Sequence, residues 1–186
     1  EEGYVPFQIT LSDLVGNSGE DYSSTTDQSS ILFDITPPDN FQLDSAYAVG
    51  GNEIFGYWNA SNNSIVLETP ISITDESLVG GSFQPLISIG GGEFENFGSP
   101  IEIVEVPETG SVFLEISGNI FESMSNYADN INAIFTTKII DKAGNETQGL
   151  SDGTIIHVDE IIPTLDSIGI STCLLYTSPS PRDTTA

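Results

Sequence analysis

Residues Phe135–Asn145 (FTTKIIDKAGN) decide the fold, because alternating side chains lead into a turn of the form Asp-x-x-Gly-Asn. Alternation with a period of two residues is typical of a β-strand with one buried face. Asp and Asn favour a turn by bonding their own backbone, and Gly adopts positive φ without strain. The same pattern occurs 128 residues upstream, at Phe7–Asn17 (FQITLSDLVGN). The two stretches predict a strand-and-turn unit that occurs twice.

The similarity continues downstream of both turns. Asp27–Asp34 matches Asp152–Asp159 at an offset of 125 residues, and Leu43–Ser45 matches Leu165–Ser167 at an offset of 122. Each change of offset has the size of a small loop insertion or deletion, and the order of the matches is preserved. The pattern indicates tandem modules of roughly 125 residues.

The repeat sets the expected domain boundaries. We expect residues 1–35 to be the C-terminal part of one module, residues 36–160 a complete module, and residues 161–172 the start of the next. The chain opens on Glu1 rather than Met, and we interpret it as an internal fragment.

The last segment, 173–186, differs from the rest. Residues 173–183 (CLLYTSPSPRD) contain the only Cys and the only Arg of the chain. They resemble a translated sequencing adaptor of the kind that enters metagenomic assemblies, so we expect 173–186 to be a non-native tail. An ordinary Pro/Ser linker is the alternative.

The complete module is predicted to be all-β. Seven short strands with one helical turn, at Phe121–Asp129, favour an immunoglobulin-like antiparallel β-sandwich. Tyr127, just before the sixth strand, is expected to form a tyrosine corner or to be a simple core residue. The predicted strands are Phe41–Val49, Ser64–Thr69, Ser82–Ile89, Pro100–Val106, Ser111–Ser117, Ile131–Ile140 and Thr154–Val158.

Composition excludes several classes of function. The 186 residues include 28 acids and 3 bases, which gives a net charge of −25. Three bases cannot form the cationic stripe that nucleic acids or anionic lipid surfaces require. A single Cys cannot form a disulfide within the chain. A single His, His157, excludes most zinc sites and most catalytic triads that depend on His. No apolar run approaches the roughly 18 residues of a membrane span.

The end of the module resembles a known group of repeats. Asp141–Asn145 (DKAGN), then a strand, then Val158–Thr164 (VDEIIPT), is similar to the closing hairpin and linker of bacterial immunoglobulin-like repeats. Those repeats occur in large secreted or surface-anchored adhesin-type proteins. The linker departs from the commonest form at Glu160-Ile161-Ile162. The resemblance implies an extracellular, cell-surface location and adjacent repeats of the same chain as partners.

Five residues are candidates for calcium ligands. Asp34 and Asp159 end equivalent strands at the two module junctions, and Glu160 follows Asp159. Calcium prefers several carboxylate and carbonyl oxygens, and it would relieve repulsion between these acids. Asp141 and Asn145 in the turn are further candidates, with a plain structural turn as the alternative. No Asp-x-Asp-x-Asp-Gly loop is present, and a solvated acidic surface is the other interpretation.

One aromatic cluster is a candidate ligand site. Tyr57 and Trp58, the only Trp, could stack on a sugar ring if they are exposed; the alternative is that they fill the core.

No nucleophile elbow, phosphate-binding loop or catalytic His cluster occurs, so we expect no enzyme activity. The sequence predicts a structural or adhesive spacer module whose partners are neighbouring repeats of the same chain, and cell-surface glycans or other surface proteins. The alternative is a carbohydrate-binding module attached to a secreted enzyme.

Overall fold

The computed structural model describes residues 2–168, and the tail predicted at 173–186 lies outside these residues. Within these residues the polypeptide forms short β-strands, one α-helix and one turn of 3-10 helix. In chain order they are β1 (Gly3–Tyr4), β2 (Ile9–Ser12), β3 (Ser18–Tyr22), β4 (Leu32–Phe33), β5 (Ser45–Val49), β6 (Tyr57–Trp58), β7 (Ser64–Pro70), a 3-10 turn (Glu76–Leu78), β8 (Ser82–Ile89), β9 (Glu95–Asn96), β10 (Ile101–Glu102), β11 (Ser111–Ser117), α1 (Gly118–Glu122), β12 (Asn132–Ile140), β13 (Glu146–Gln148) and β14 (Ile156–Val158).

Two sheets enclose one core. The larger sheet has seven strands in the order β10-β8-β12-β14-β6, with β13 added to β12 and β9 to β8. The smaller sheet has the order β11-β7-β5. Every pairing within the two sheets is antiparallel except β14 with β6, which is parallel. The predicted all-β fold is confirmed, with two sheets that pack as a sandwich.

Long strands were easier to predict than short ones. Ser82–Ile89 and Ser111–Ser117 have the predicted bounds. The strand predicted at Pro100–Val106 shrinks to Ile101–Glu102, because the chain leaves one sheet here to reach the other. The strand predicted at Phe41–Val49 begins only at Ser45. The strands β6, β9 and β13 were not predicted, since two or three residues carry no periodic pattern.

The helix lies earlier than predicted. It covers Gly118–Glu122, and the rest of the predicted segment Phe121–Asp129 forms successive turns. The Met124 amide donates to the Phe121 carbonyl at 3.1 Å, which gives the helix-like spacing without a helix. Gly118 is required at the start, because a Cβ there would lie 2.5 Å from Cη2 of Trp58.

The helix delivers an aromatic side chain to the centre of the core. The Phe121 ring centroid lies 5.3 Å from that of Trp58, 5.1 Å from Tyr127 and 5.9 Å from Phe135, in edge-to-face arrangements. Aromatic rings favour such arrangements because the positive edge of one meets the negative face of the other. The core therefore joins β6, α1 and β12 through one aromatic contact group.

Residues 3–33 form two separate two-stranded sheets, β1 with β4 and β2 with β3. Tyr4 pairs with Leu32. The residues that the repeat matches to them, Asn132 and His157, pair with each other in the larger sheet. The burial is opposite: Ile31 is 71% exposed, whereas its sequence match Ile156 is 0% exposed.

We predict that Trp58→Ala lowers the free energy of unfolding by about 3–5 kcal/mol, because the fully buried indole leaves a cavity that the sheets cannot close. Urea denaturation followed by circular dichroism measures this. Tyr57→Ala, at the exposed neighbouring position, is the matched control and should cost much less. Equal losses for the two variants would contradict the packing described.

Candidate functional site

The Asp-x-x-Gly-Asn turn after β12 is held by its own side chains. Asp141 Oδ1 accepts hydrogen bonds from the amides of Ala143 (2.8 Å) and Asn145 (2.9 Å), and Asp141 Oδ2 accepts from Asn145 Nδ2 (2.9 Å). Gly144 has a φ of 94°, which only Gly adopts without strain. The Asp141 side chain is buried and accepts three hydrogen bonds. These bonds are what a plain structural turn, the alternative to a calcium site, requires.

The upstream copy of the turn has the same bonds. Asp13 Oδ1 accepts from the amides of Val15 (3.0 Å) and Asn17 (2.8 Å), and Asp13 Oδ2 accepts from Asn17 Nδ2 (2.7 Å). The side-chain hydrogen bond from Asn17 is the main cause that lowers the pKa of Asp13 below its usual value. One sequence motif thus produces the same turn at two places in the chain.

The segment that precedes the sandwich lies along the edge of this turn. We call residues 34–43 the strap and residues 145–151 the docking edge. Asn145 Nδ2 donates to the Asp34 carbonyl at 3.2 Å, and Thr147 Oγ1 donates to the Pro38 carbonyl at 2.5 Å. Further along, the Leu150 amide donates to the Phe41 carbonyl at 3.0 Å, and the Leu43 amide donates to the Leu150 carbonyl at 2.8 Å. The strap therefore runs parallel to the docking edge, with one β-bridge between Gln42 and Leu150.

Close packing adds to these hydrogen bonds. A Cβ at Gly149 would lie 2.3 Å from Cε2 of Phe41, so the aromatic ring rests directly on the docking edge. Pro38 and Leu43 are buried, and Leu43 belongs to the core of the sandwich. The strap is thus continuous with the folded module.

The first junction is strongly acidic. A cleft of about 860 Å³ opens between the strap, the N-terminal segment and the 3-10 turn. Its charged lining consists of Glu2, Asp34, Asp39, Asp75, Glu76 and the single base Lys142. Asp34 Oδ1 accepts a hydrogen bond from the Thr36 amide at 3.1 Å.

The five candidate calcium ligands divide into two separate places. The contact of Asn145 with Asp34 brings these two residues and Asp141 together near the end of β12. Asp159 and Glu160 lie near the start of β12, where Asp159 donates its amide to Trp58 and Glu160 donates its amide to Asp129. Nine residues of strand, about 30 Å, separate the two places. Within residues 2–168, no three His, Cys, Asp or Glu side chains are grouped to hold a metal ion.

The aromatic candidates also separate. Trp58 is fully buried in the core and presents no ring face to a sugar, as the core alternative requires. Tyr57 is 44% exposed and its ring centroid lies 5.5 Å from that of His157, while Phe55 is 83% exposed. Any stacking surface at this place consists of Tyr57 and Phe55.

Tyr127 is partly buried and packs against the core. Its hydroxyl is shielded from solvent and has no hydrogen-bond partner among residues 2–168, as is also true of Trp58 Nε1, so the structure shows no tyrosine corner there. Burial raises the pKa of Tyr127, and the neighbouring carboxylate of Glu160 raises it further.

Sequence reasoning missed most of the docking edge. Thr147, Gly149 and Leu150 meet partners about 108 residues earlier in the chain, and no local pattern reports contacts of that range. The one signal in the sequence was the Asn that ends both turns. In the second turn this residue is Asn145, and its side-chain amide donates to the Asp34 carbonyl in the strap.

Comparison of the chain with protein-family models, curated proteins and solved structures finds no match. Within the described part of the chain, no helix has the length and apolar character needed to span a bilayer.

We predict that the free energy of unfolding falls as the pH rises above about 10, the ordinary pKa of a Tyr side chain. Above that pH the unfolded chain loses the Tyr127 proton while the folded chain retains it, so ionisation favours unfolding. Urea denaturation across alkaline pH measures the slope. Tyr127→Phe should make the slope shallower and Tyr22→Phe, at an exposed position, should not; an unchanged slope in Tyr127→Phe would contradict the prediction.

Proposed function

We propose that this chain belongs to a non-catalytic, immunoglobulin-like tandem array that acts as a spacer, with low-affinity adhesion, on an extracellular bacterial surface. The observation that carries the proposal is the docked strap. A linker that is hydrogen-bonded along the next module and buried at Pro38 and Leu43 fixes the approach of one unit to the next. Such a joint suits a protein that must hold a fixed extension from a cell.

The N-terminal segment supports the tandem arrangement. Phe7, Leu11 and Ile31 are exposed, whereas the residues matched to them by the repeat, Phe135, Ile139 and Ile156, are buried. The pairing of Ser12 with Ser18 corresponds to that of Ile140 with Glu146. In a tandem array, the remaining strands of the preceding module would cover the apolar face that is exposed in the N-terminal copy.

Calcium at the junctions stays a prediction from the sequence. The hydrogen bonds of the turn account for Asp141 and Asn145 without an ion. The prediction therefore concerns Asp34 at one junction, and Asp159 and Glu160 at the other.

We predict that the maximum dimension in small-angle X-ray scattering rises by a constant step for each further copy of residues 36–160 inserted after Glu160. Modules joined by docked straps add their lengths, whereas a compact protein grows only as about the 0.38 power of its residue number. Compact scaling would contradict the spacer function.

The same series in millimolar calcium and in EDTA, at matched ionic strength, is the control for metal dependence. If calcium stiffens the junctions, Tm and the step length rise in calcium, and Asp34→Asn or Asp159→Asn removes the rise at its own junction. Monovalent salt only screens these charges. Identical results in the two solutions would remove calcium from the account.

A further inference from the structure

At Asn145 and Thr147 the docking edge contacts the strap through side-chain donors, whereas its backbone hydrogen bonds to the strap are made at Leu150. Asn145 uses one amide hydrogen for Asp141 inside the turn and directs its amide also to the Asp34 carbonyl, 111 residues away in the chain. Thr147 lies two residues on and directs its hydroxyl to the Pro38 carbonyl. These two carbonyls belong to the part of the strap nearest the preceding segment.

Neither contact is needed to close the turn. Asn17 makes the same bond to its own Asp13, and within residues 2–168 it contacts no linker carbonyl. The upstream turn keeps its shape, which shows that the bond from Asn145 to Asp34 serves something other than the turn.

The two positions that the repeat matches in the linkers differ in burial. Leu43 in the strap is 2% exposed, whereas Leu165, which the repeat matches to it in the next linker, is 73% exposed. Residues 161–168 make no backbone hydrogen bond within the described part of the chain.

We propose that Asn145 and Thr147 are an orientation clamp, which fixes the preceding module by holding the carbonyls of Asp34 and Pro38 on the docking edge. The expected occupant of the edge is the linker of a preceding module of this kind. This inference rests on the proposed tandem array and adds to it the residues that set the angle between neighbours.

The clamp uses neutral groups at an acidic junction. Glu2, Asp34, Asp39, Asp75 and Glu76 line the cleft and repel one another. Amide and hydroxyl donors bind carbonyl oxygens without adding charge, so the clamp holds the strap at high as well as low ionic strength.

The test is a distance distribution across the junction, measured by double electron–electron resonance. Spin labels at Ser24→Cys and Ser125→Cys, both exposed, are placed in the full chain with Cys173→Ser. The parent should give one narrow distribution, and the Asn145→Ala, Thr147→Val pair should broaden it at least about twofold, equally at low and high salt. Thr147→Val alone keeps the branched shape and should broaden it part of the way.

Two control variants separate the clamp from general damage. Gln148→Ala lies on the same strand, and Asn17→Ala removes the matching bond inside the upstream turn; both should leave the width unchanged. Thermal unfolding of each variant shows that the module is folded. A broad distribution in the parent, or an unchanged width in the folded pair variant, would overturn the clamp, while the step length in scattering would still test the spacer function separately.

Discussion

The hydrogen bonds between the strap and the docking edge are the constraint on which the rest of the structure depends. The Leu43 amide donates to the Leu150 carbonyl, and the Leu150 amide donates to the Phe41 carbonyl. The Leu43 side chain belongs to the core of the sandwich. Buried backbone groups must be paired, because an unpaired group loses the hydrogen bonds it makes to water. The start of the sandwich is therefore fixed by contacts that also fix the linker.

This arrangement explains how a chain with a net charge of −25 can hold an ordered junction. The repulsion between exposed acids is screened over about 8 Å at physiological ionic strength. The contacts that hold the strap are hydrogen bonds from neutral donors and the packing of Phe41 on Gly149. Among the acidic side chains that line the cleft, Glu2 also contacts the strap, since its carboxylate accepts hydrogen bonds from the Ile35 amide and the Thr36 hydroxyl.

What could be predicted from the sequence follows the range of the interactions. Ser82–Ile89 and Ser111–Ser117 are long enough for their pattern to decide the strand, and the turn at Asp141 is decided within five residues. The helix was placed wrongly because turns at Met124 imitate helical spacing. The strap could not be found, because Asn145 and Thr147 have ordinary local surroundings and meet their partners only after the module has folded. The separation of Asp34 from Asp159 also follows from topology, since Asp34 precedes the first strand of the sandwich and Asp159 follows its last strand.

Native-state hydrogen exchange of the full chain tests most directly whether the strap belongs to the folded module. We predict that the amides of Leu43 and Leu150 open with the same free energy as amides in the central strands β8 and β12, because their hydrogen bonds break only when the sandwich unfolds. Exchange of Leu43 and Leu150 through a local opening, orders of magnitude faster than in β8 and β12, would show a linker that detaches on its own and would contradict the account.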